Sequence, residues 1–120
     1  MENNRKIGDK YEEKAVELLI SSGYKILERN YRVRAGEIDI IAKIDSTIVF
    51  VEVKYRKSLK YGYGIEAVDY RKIRRIYKAA ETYLTVNRKL SSKIRFDCIS
   101  FLGERVTWTK NLTWGDEIGF

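Results

Sequence analysis

Among the charged residues that interrupt the apolar runs of residues 36–56, GEIDIIAKIDSTIVFVEVKYR, are Asp39, Glu52 and Lys54. The only polar break between the runs is Asp45-Ser46, which reads as the turn of a β-hairpin. A turn centred there sets Ile38 opposite Val53, Ile40 opposite Val51 and Ala42 opposite Val49 on one face. On the other, Glu37 meets Lys54, Asp39 meets Glu52 and Ile41 meets Phe50, because side chains alternate with a period of two. Asp-Ser is not the favoured Asn-Gly or Asp-Gly turn, so a longer loop on the same centre also fits. Opposed carboxylates lie roughly 4.5–5.5 Å apart at Cβ and repel. A hard divalent cation taking oxygen ligands turns that repulsion into a binding site. Lys54, two residues past Glu52 on the same side, is placed to orient a water or meet a phosphate oxygen. The same pattern fits a solvated sheet face with Glu37–Lys54 as a weak surface ion pair.

Other segments must position this hairpin. Residues 6–22 show helical spacing of Ile7, Tyr11, Ala15, Leu18 and Leu19, with Ser21-Ser22-Gly23 as a stop. Glu12 falls on the edge of that stripe, where it can lean toward Asp39 and Glu52 or pair with a cation as a boundary residue. Residues 24–29 read as a short first strand, and residues 30–36 as a lead into the hairpin. Arg32 and Arg34 in that lead suit a phosphate backbone or a charged, solvated strand edge. After the hairpin, Arg56 and the loop 57–64, with Lys57, Lys60 and Tyr61, interleave cations, aromatics and glycines. That mixture suits nucleic-acid contact, and equally a loop whose tyrosines fold back on the core. Residues 69–86 read as a second helix with Asp69 as N-cap. Ile73, Ile76, Tyr77, Ala80 and Leu84 form its buried stripe, and Arg71, Lys72, Arg74, Arg75 and Lys78 its outer arc. Residues 93–101 and 105–109 form a second hairpin across 102–104, its first strand central because both sides are mixed. Asp97 there pairs with Arg95 or supports the site from behind. Residues 111–120 show no periodicity.

The totals narrow the chemistry. A length of 120 residues fits one domain. A formal charge of +7 and a pI near 9.5 favour an anionic partner. With no histidine and one cysteine, zinc sites and His-based triads are excluded. Carboxylates, lysine, tyrosine and water remain. Cys98 lies in an apolar run and reads as packing, in a reducing cytoplasm. No apolar run approaches the roughly 20 residues that span a bilayer, and the first residues lack a signal peptide's apolar core. No membrane partner is expected.

At Asp39 and Glu52-Val53-Lys54 the chain resembles the PD-(D/E)XK nuclease signature. A longer ordered set extends the likeness. It comprises Gly8, Glu12 and Ala15; Asn30-Tyr31-Arg32; Gly36-Glu37-Ile38-Asp39; Phe50 through Arg56; Tyr61-Gly62; Lys72 with Arg75-Ile76; and Arg95-Phe96-Asp97. That set resembles the YraN-like family of bacterial proteins, itself similar to archaeal Holliday-junction resolvases and to the restriction-endonuclease-like fold. The match runs from about Gly8 to the end. Ile38 stands where the signature's name puts a proline.

The resemblance implies an α/β fold: a restriction-endonuclease-like mixed β-sheet of about five strands flanked by helices. It implies a nuclease dependent on Mg²⁺ or Mn²⁺ that hydrolyses DNA, on branched or recombination intermediates, in a homodimer if it follows the resolvases. Asp39, Glu52 and the Val53 carbonyl then hold the metal, Lys54 positions the attacking water and Glu12 completes the shell. Lys72 matches the family's helix lysine. Together with Arg32, Arg34, Arg56, Lys57, Lys60, Tyr61 and Arg75 it is expected to contact nucleic acid. Two other classes fit the same residues: a non-cleaving nucleic-acid-binding module on this fold, and an assembly factor that binds an acidic protein.

Overall fold

A computed structural model of the chain describes residues 4–56, 70–90 and 92–112, the side chains of 4–7 excepted. Among these residues seven elements follow one another: α1 (Asn4–Ser21), β1 (Lys25–Val33), β2 (Gly36–Ile44), β3 (Thr47–Arg56), α2 (Tyr70–Val86), β4 (Lys93–Leu102) and β5 (Arg105–Thr109). The strands form one mixed sheet in the order β1-β2-β3-β4-β5. Only β3 and β4 run parallel, joined by the crossover that contains α2. A five-stranded mixed sheet flanked by helices is the expected architecture, compatible with a restriction-endonuclease-like fold. No helix among the described residues is long and apolar enough to cross a membrane.

The helices lie on opposite faces of the sheet. α1 buries Ala15, Val16 and Leu19 against Ile40, Ala42, Val49, Val51, Ile99 and Phe101. α2 buries Ile73, Ile76, Tyr77, Ala79, Ala80, Tyr83 and Leu84 against Ile38, Ile41, Ile48, Phe50 and Phe96. The helical spacing in 69–86 therefore named the buried stripe correctly and missed only its flanks, Ala79 and Tyr83. At about 1.5–3 kcal/mol for each large apolar side chain, this packing fixes where α2 sits. A half-exposed ion pair, at about 0–1 kcal/mol, does not.

α1 ends in a Schellman motif around Gly23, whose φ is +91°. The Gly23 N–H donates to Ile20 O at 3.0 Å and the Tyr24 N–H to Leu19 O at 2.9 Å. The β2–β3 turn is the two-residue Asp45-Ser46, closed by the pair Ile44–Thr47. Asp45 takes φ +51°, a conformation its short polar side chain tolerates.

Two expectations need correction. β1 does not stop at residue 29 but runs to Val33, passing through Asn30 at φ +50°. The hairpin register holds from Ile44–Thr47 to Ile40–Val51 and stops there, so Glu37–Lys54, Ile38–Val53 and Asp39–Glu52 are not ladder pairs. The alternation itself slips at Asp39. Ile40 lies on the α1 side, yet Ile38 lies on the α2 side with Ile41. The neighbouring strand turns over with it: Arg29 reaches α1, whereas Tyr31, two residues later, meets Tyr83 on α2. A left-handed residue in β1 and a face change in β2 accompany the end of the β2–β3 ladder. Asp69, Lys57, Lys60, Tyr61 and the stretch 113–120 lie outside the described residues.

Candidate functional site

The separation of β2 from β3 creates the site. Val51 and Ile40 are the last ladder pair, and alternation makes Val53 the next residue whose N–H points at β2. A continued ladder gives it the Ile38 carbonyl. Here it donates instead to Asp39 Oδ2, at 2.8 Å. The Asp39 carboxylate thus lies between the two strands and caps the ladder. Because N–H and C=O of one strand residue point the same way, the Val53 carbonyl faces the same opening.

Glu52 is the neighbour of Val53, and only 6% of it is exposed. Its side chain projects toward α2, where Lys72 Nζ forms an ion pair with Oε1. Among the described residues that oxygen takes no well-directed hydrogen bond. Glu37, Ile38, Asp39, Phe50, Glu52, Lys72, Arg75 and Ile76 are among the residues that line a cavity of about 70 Å³ between the sheet and α2. A water needs about 10–15 Å³, so a cation with part of its hydration shell fits.

Electrostatics mark the same spot. Burial, assisted by the Glu52 charge, pushes the Asp39 carboxyl up to about 6, against the Val53 N–H and Lys72, which hold it down. Two carboxylates line one small cleft and the Val53 carbonyl follows in the gap between the strands, an all-oxygen donor set in which Lys72 holds one Glu52 oxygen. The residues present fit Mg²⁺ or Mn²⁺. They amount to two carboxylates only: among the described residues no three acidic or cysteine side chains converge as a metal cage.

Glu12 explains why. It is buried, at 8% exposure, and leans over the sheet as its place on the α1 stripe requires. Yet it meets β1. The Asn30 Nδ2–H donates to its Oε1 at 2.9 Å, and Arg29 Nε lies 3.5 Å from the same oxygen. Burial raises its carboxyl, opposed by Arg29 and Asn30, and its charge reaches Asp39 as one of the smaller influences there. Glu12 therefore ties α1 to the Asn30 kink.

α2 carries the basic part of the site. Its position is set by Gly36, where an added Cβ would lie 1.8 Å from the Arg75 carbonyl oxygen. Helix backbone rests directly on strand backbone at this point, which only glycine permits. Lys72, one turn before Arg75, lies exposed on the outer arc as expected, with its ammonium turned onto Glu52. Arg71, Arg74, Arg75 and Lys78 do lie exposed, as the helical arc predicted. Arg32 forms an exposed pair with Glu37 at 3.5 Å, while Arg34 and Arg56 are exposed at the β1–β2 turn and the end of β3. Lys54 stands opposite Ser100 in the parallel register, two residues past Glu52.

Asp97 is wholly buried and makes the structural ion pair expected of it. Arg95 donates to both carboxylate oxygens at 2.8 Å, and Trp108 Nε1 and the Asn111 N–H complete the set. The sequence did not mark Trp108 and Asn111 as partners, since a strand reversal brings them there. Cys98, opposite Glu52 on β4, is buried, and burial pushes its thiol up to about 11. It stays protonated and packs.

The model of the Uncharacterised protein family UPF0102 matches residues 11–101, a span that holds Glu12, Asp39, Glu52, Lys54 and Lys72 but not Trp108 or Asn111. A UPF0102 protein of Fusobacterium nucleatum is 56% identical over 118 residues, 98% of this chain and 99% of that one. UPF0102 proteins of Persephonella marina and Clostridioides difficile are each 48% identical, over 87% and 81% of this chain and 90% and 85% of theirs. With the family model covering most of its length and relatives aligned nearly end to end, this chain belongs to the UPF0102 family, the YraN-like proteins.

Proposed function

We propose that the chain is a Mg²⁺- or Mn²⁺-dependent nuclease that hydrolyses phosphodiester bonds in DNA, on branched or recombination intermediates as the resemblance to junction resolvases suggests. One observation carries the reading: Asp39 and Glu52 meet in a cleft opened by the end of the β2–β3 ladder, beside a basic helix. In this reading Asp39, Glu52 and the Val53 carbonyl hold the metal. When bound, it lowers the pKa of a coordinated water and stabilises charge on the phosphate in flight. Lys54 orients the attacking water and offsets developing charge. Arg71, Arg74 and Arg75 neutralise phosphates on either side of the scissile one. Glu12 supports the site by holding the Asn30 kink that turns Asp39 into the cleft.

The second reading is a nucleic-acid-binding protein that does not cleave. The Lys72–Glu52 ion pair favours it, since a lysine there already answers part of the acidic charge. Calorimetry with Mg²⁺ and Mn²⁺ on wild type, Asp39→Asn and Glu52→Gln separates the two, with labelled branched and linear DNA then added to each sample. The nuclease reading expects metal binding lost in both variants and metal-dependent cleavage by wild type alone. DNA binding that is salt-sensitive, unaffected by chelator and equal in all three, with no metal heat, leaves the binding protein.

A further inference from the structure

Lys72 is 56% exposed at its side chain, yet its ammonium turns inward onto Glu52, which is 5% exposed at its side chain. Lysines on helix surfaces ordinarily do the reverse, burying the stem and leaving the head in solvent. The ammonium also lies within the electrostatic reach of Asp39 and Glu37. One positive charge therefore stands in the place where the two site carboxylates call for a cation.

We propose that Lys72 is a resident counter-ion of the Asp39–Glu52 site, competing with a divalent cation for the Glu52 carboxylate and released toward the cleft mouth when the cation binds. The proposal rests on the metal-binding reading of the site given above. Its mechanics are local. α2 is held by its apolar stripe and by the Gly36–Arg75 backbone contact, so the ammonium can leave Glu52 without moving the helix. Lys72 lines the cleft together with Arg75, one helical turn further on. Released, it adds one positive charge beside Arg75, where a phosphate backbone would approach. Metal and nucleic acid are then coupled: the cation that completes the acidic site also completes the basic one, and each partner favours the other. The metal-free protein keeps the Glu52 charge balanced by Lys72 and its grip on polyanions weaker.

The test uses Mn²⁺ alone, titrated calorimetrically into wild type, Lys72→Gln, Lys72→Arg and Glu52→Gln. Removal of the competitor should tighten Mn²⁺ binding in Lys72→Gln by about tenfold, the scale of a partly buried ion pair. Lys72→Arg keeps the charge and should stay within about threefold of wild type. Glu52→Gln should lose binding. A second readout needs no variant to fold: acylation of Lys72 in wild type, mapped by mass spectrometry, should speed up several-fold when Mg²⁺ is added. Mn²⁺ affinity in Lys72→Gln equal to or weaker than wild type, or acylation indifferent to Mg²⁺ while Mg²⁺ binds, overturns the counter-ion role and leaves the metal site standing. Absence of Mn²⁺ binding in both wild type and Lys72→Gln overturns the metal site and this role together.

Discussion

Asp39 is ionised at neutral pH against its surroundings. Its carboxyl sits at about 6 in the folded chain against 3.8 in the open one, chiefly through burial. The folded state therefore holds the Asp39 proton more tightly than the unfolded state does. Stability falls as pH rises from about 4 to about 6, and the full penalty is present above that window. Asn keeps an oxygen to accept the Val53 N–H and carries no charge. Asp39→Asn should therefore stabilise the metal-free protein at pH 7.5 by about 1–2 kcal/mol, a figure reduced from the full shift for partial exposure. Thermal melts in chelator should show that gain vanish below about pH 4. Added Mg²⁺ should raise the melting temperature of wild type alone. A stability loss in Asp39→Asn at neutral pH contradicts the electrostatic account of the site.

The elements fix how far apart the charged groups stand. Gly36 is the tightest point, since any side chain there must push α2 away from the β1–β2 turn. Gly36→Ala should cost about 2–3 kcal/mol, in the range of core overpacking, and lower the melting temperature by about 8–15 °C. It should also weaken divalent-metal binding, because the displaced helix opens the cleft. A melting curve superimposable on wild type argues against the close backbone contact. The two hairpins and the α2 stripe were legible because their signals are local: alternation, a polar turn, a spacing of three and four. The full extent of β1 was not. Asn30 leaves the strand conformation for one residue, and no neighbouring side chain announces that the strand resumes after it.

For the whole molecule, charge distribution is what the proposed nucleic-acid partner rests on. The stretch from Lys54 to Lys78 carries nine basic residues against Glu66 and Asp69, and its described helical part lies exposed on α2. If about five phosphates are neutralised there, log K for a DNA duplex should fall with log salt at a slope near −4 to −5. Fluorescence anisotropy over a salt series measures it. A slope near zero removes nucleic acid as the partner and favours an acidic protein. Among the described residues β1 and β5 form the two sheet edges.

Composition and local pattern alone determined the chemistry this chain has available. Without histidine and with one cysteine, any acid–base or metal chemistry falls to carboxylates, lysine, tyrosine and water. Pattern also determined the hairpin register as far as Ile40–Val51, since each pair there follows from its predecessor by one step of alternation. Tertiary structure decided the rest, wherever elements distant in the chain meet. The ladder ends before Asp39 and Ile38 turns to the other face, which a straight-strand extrapolation cannot foresee. Glu12 was drawn to Arg29 and Asn30, seventeen and eighteen residues away, and Lys72 was set on Glu52 by a helix docked on Gly36. A side chain's type tells what it can hold. Its partner is chosen by packing, because which charge lies within a few ångströms depends on how whole helices settle against the sheet.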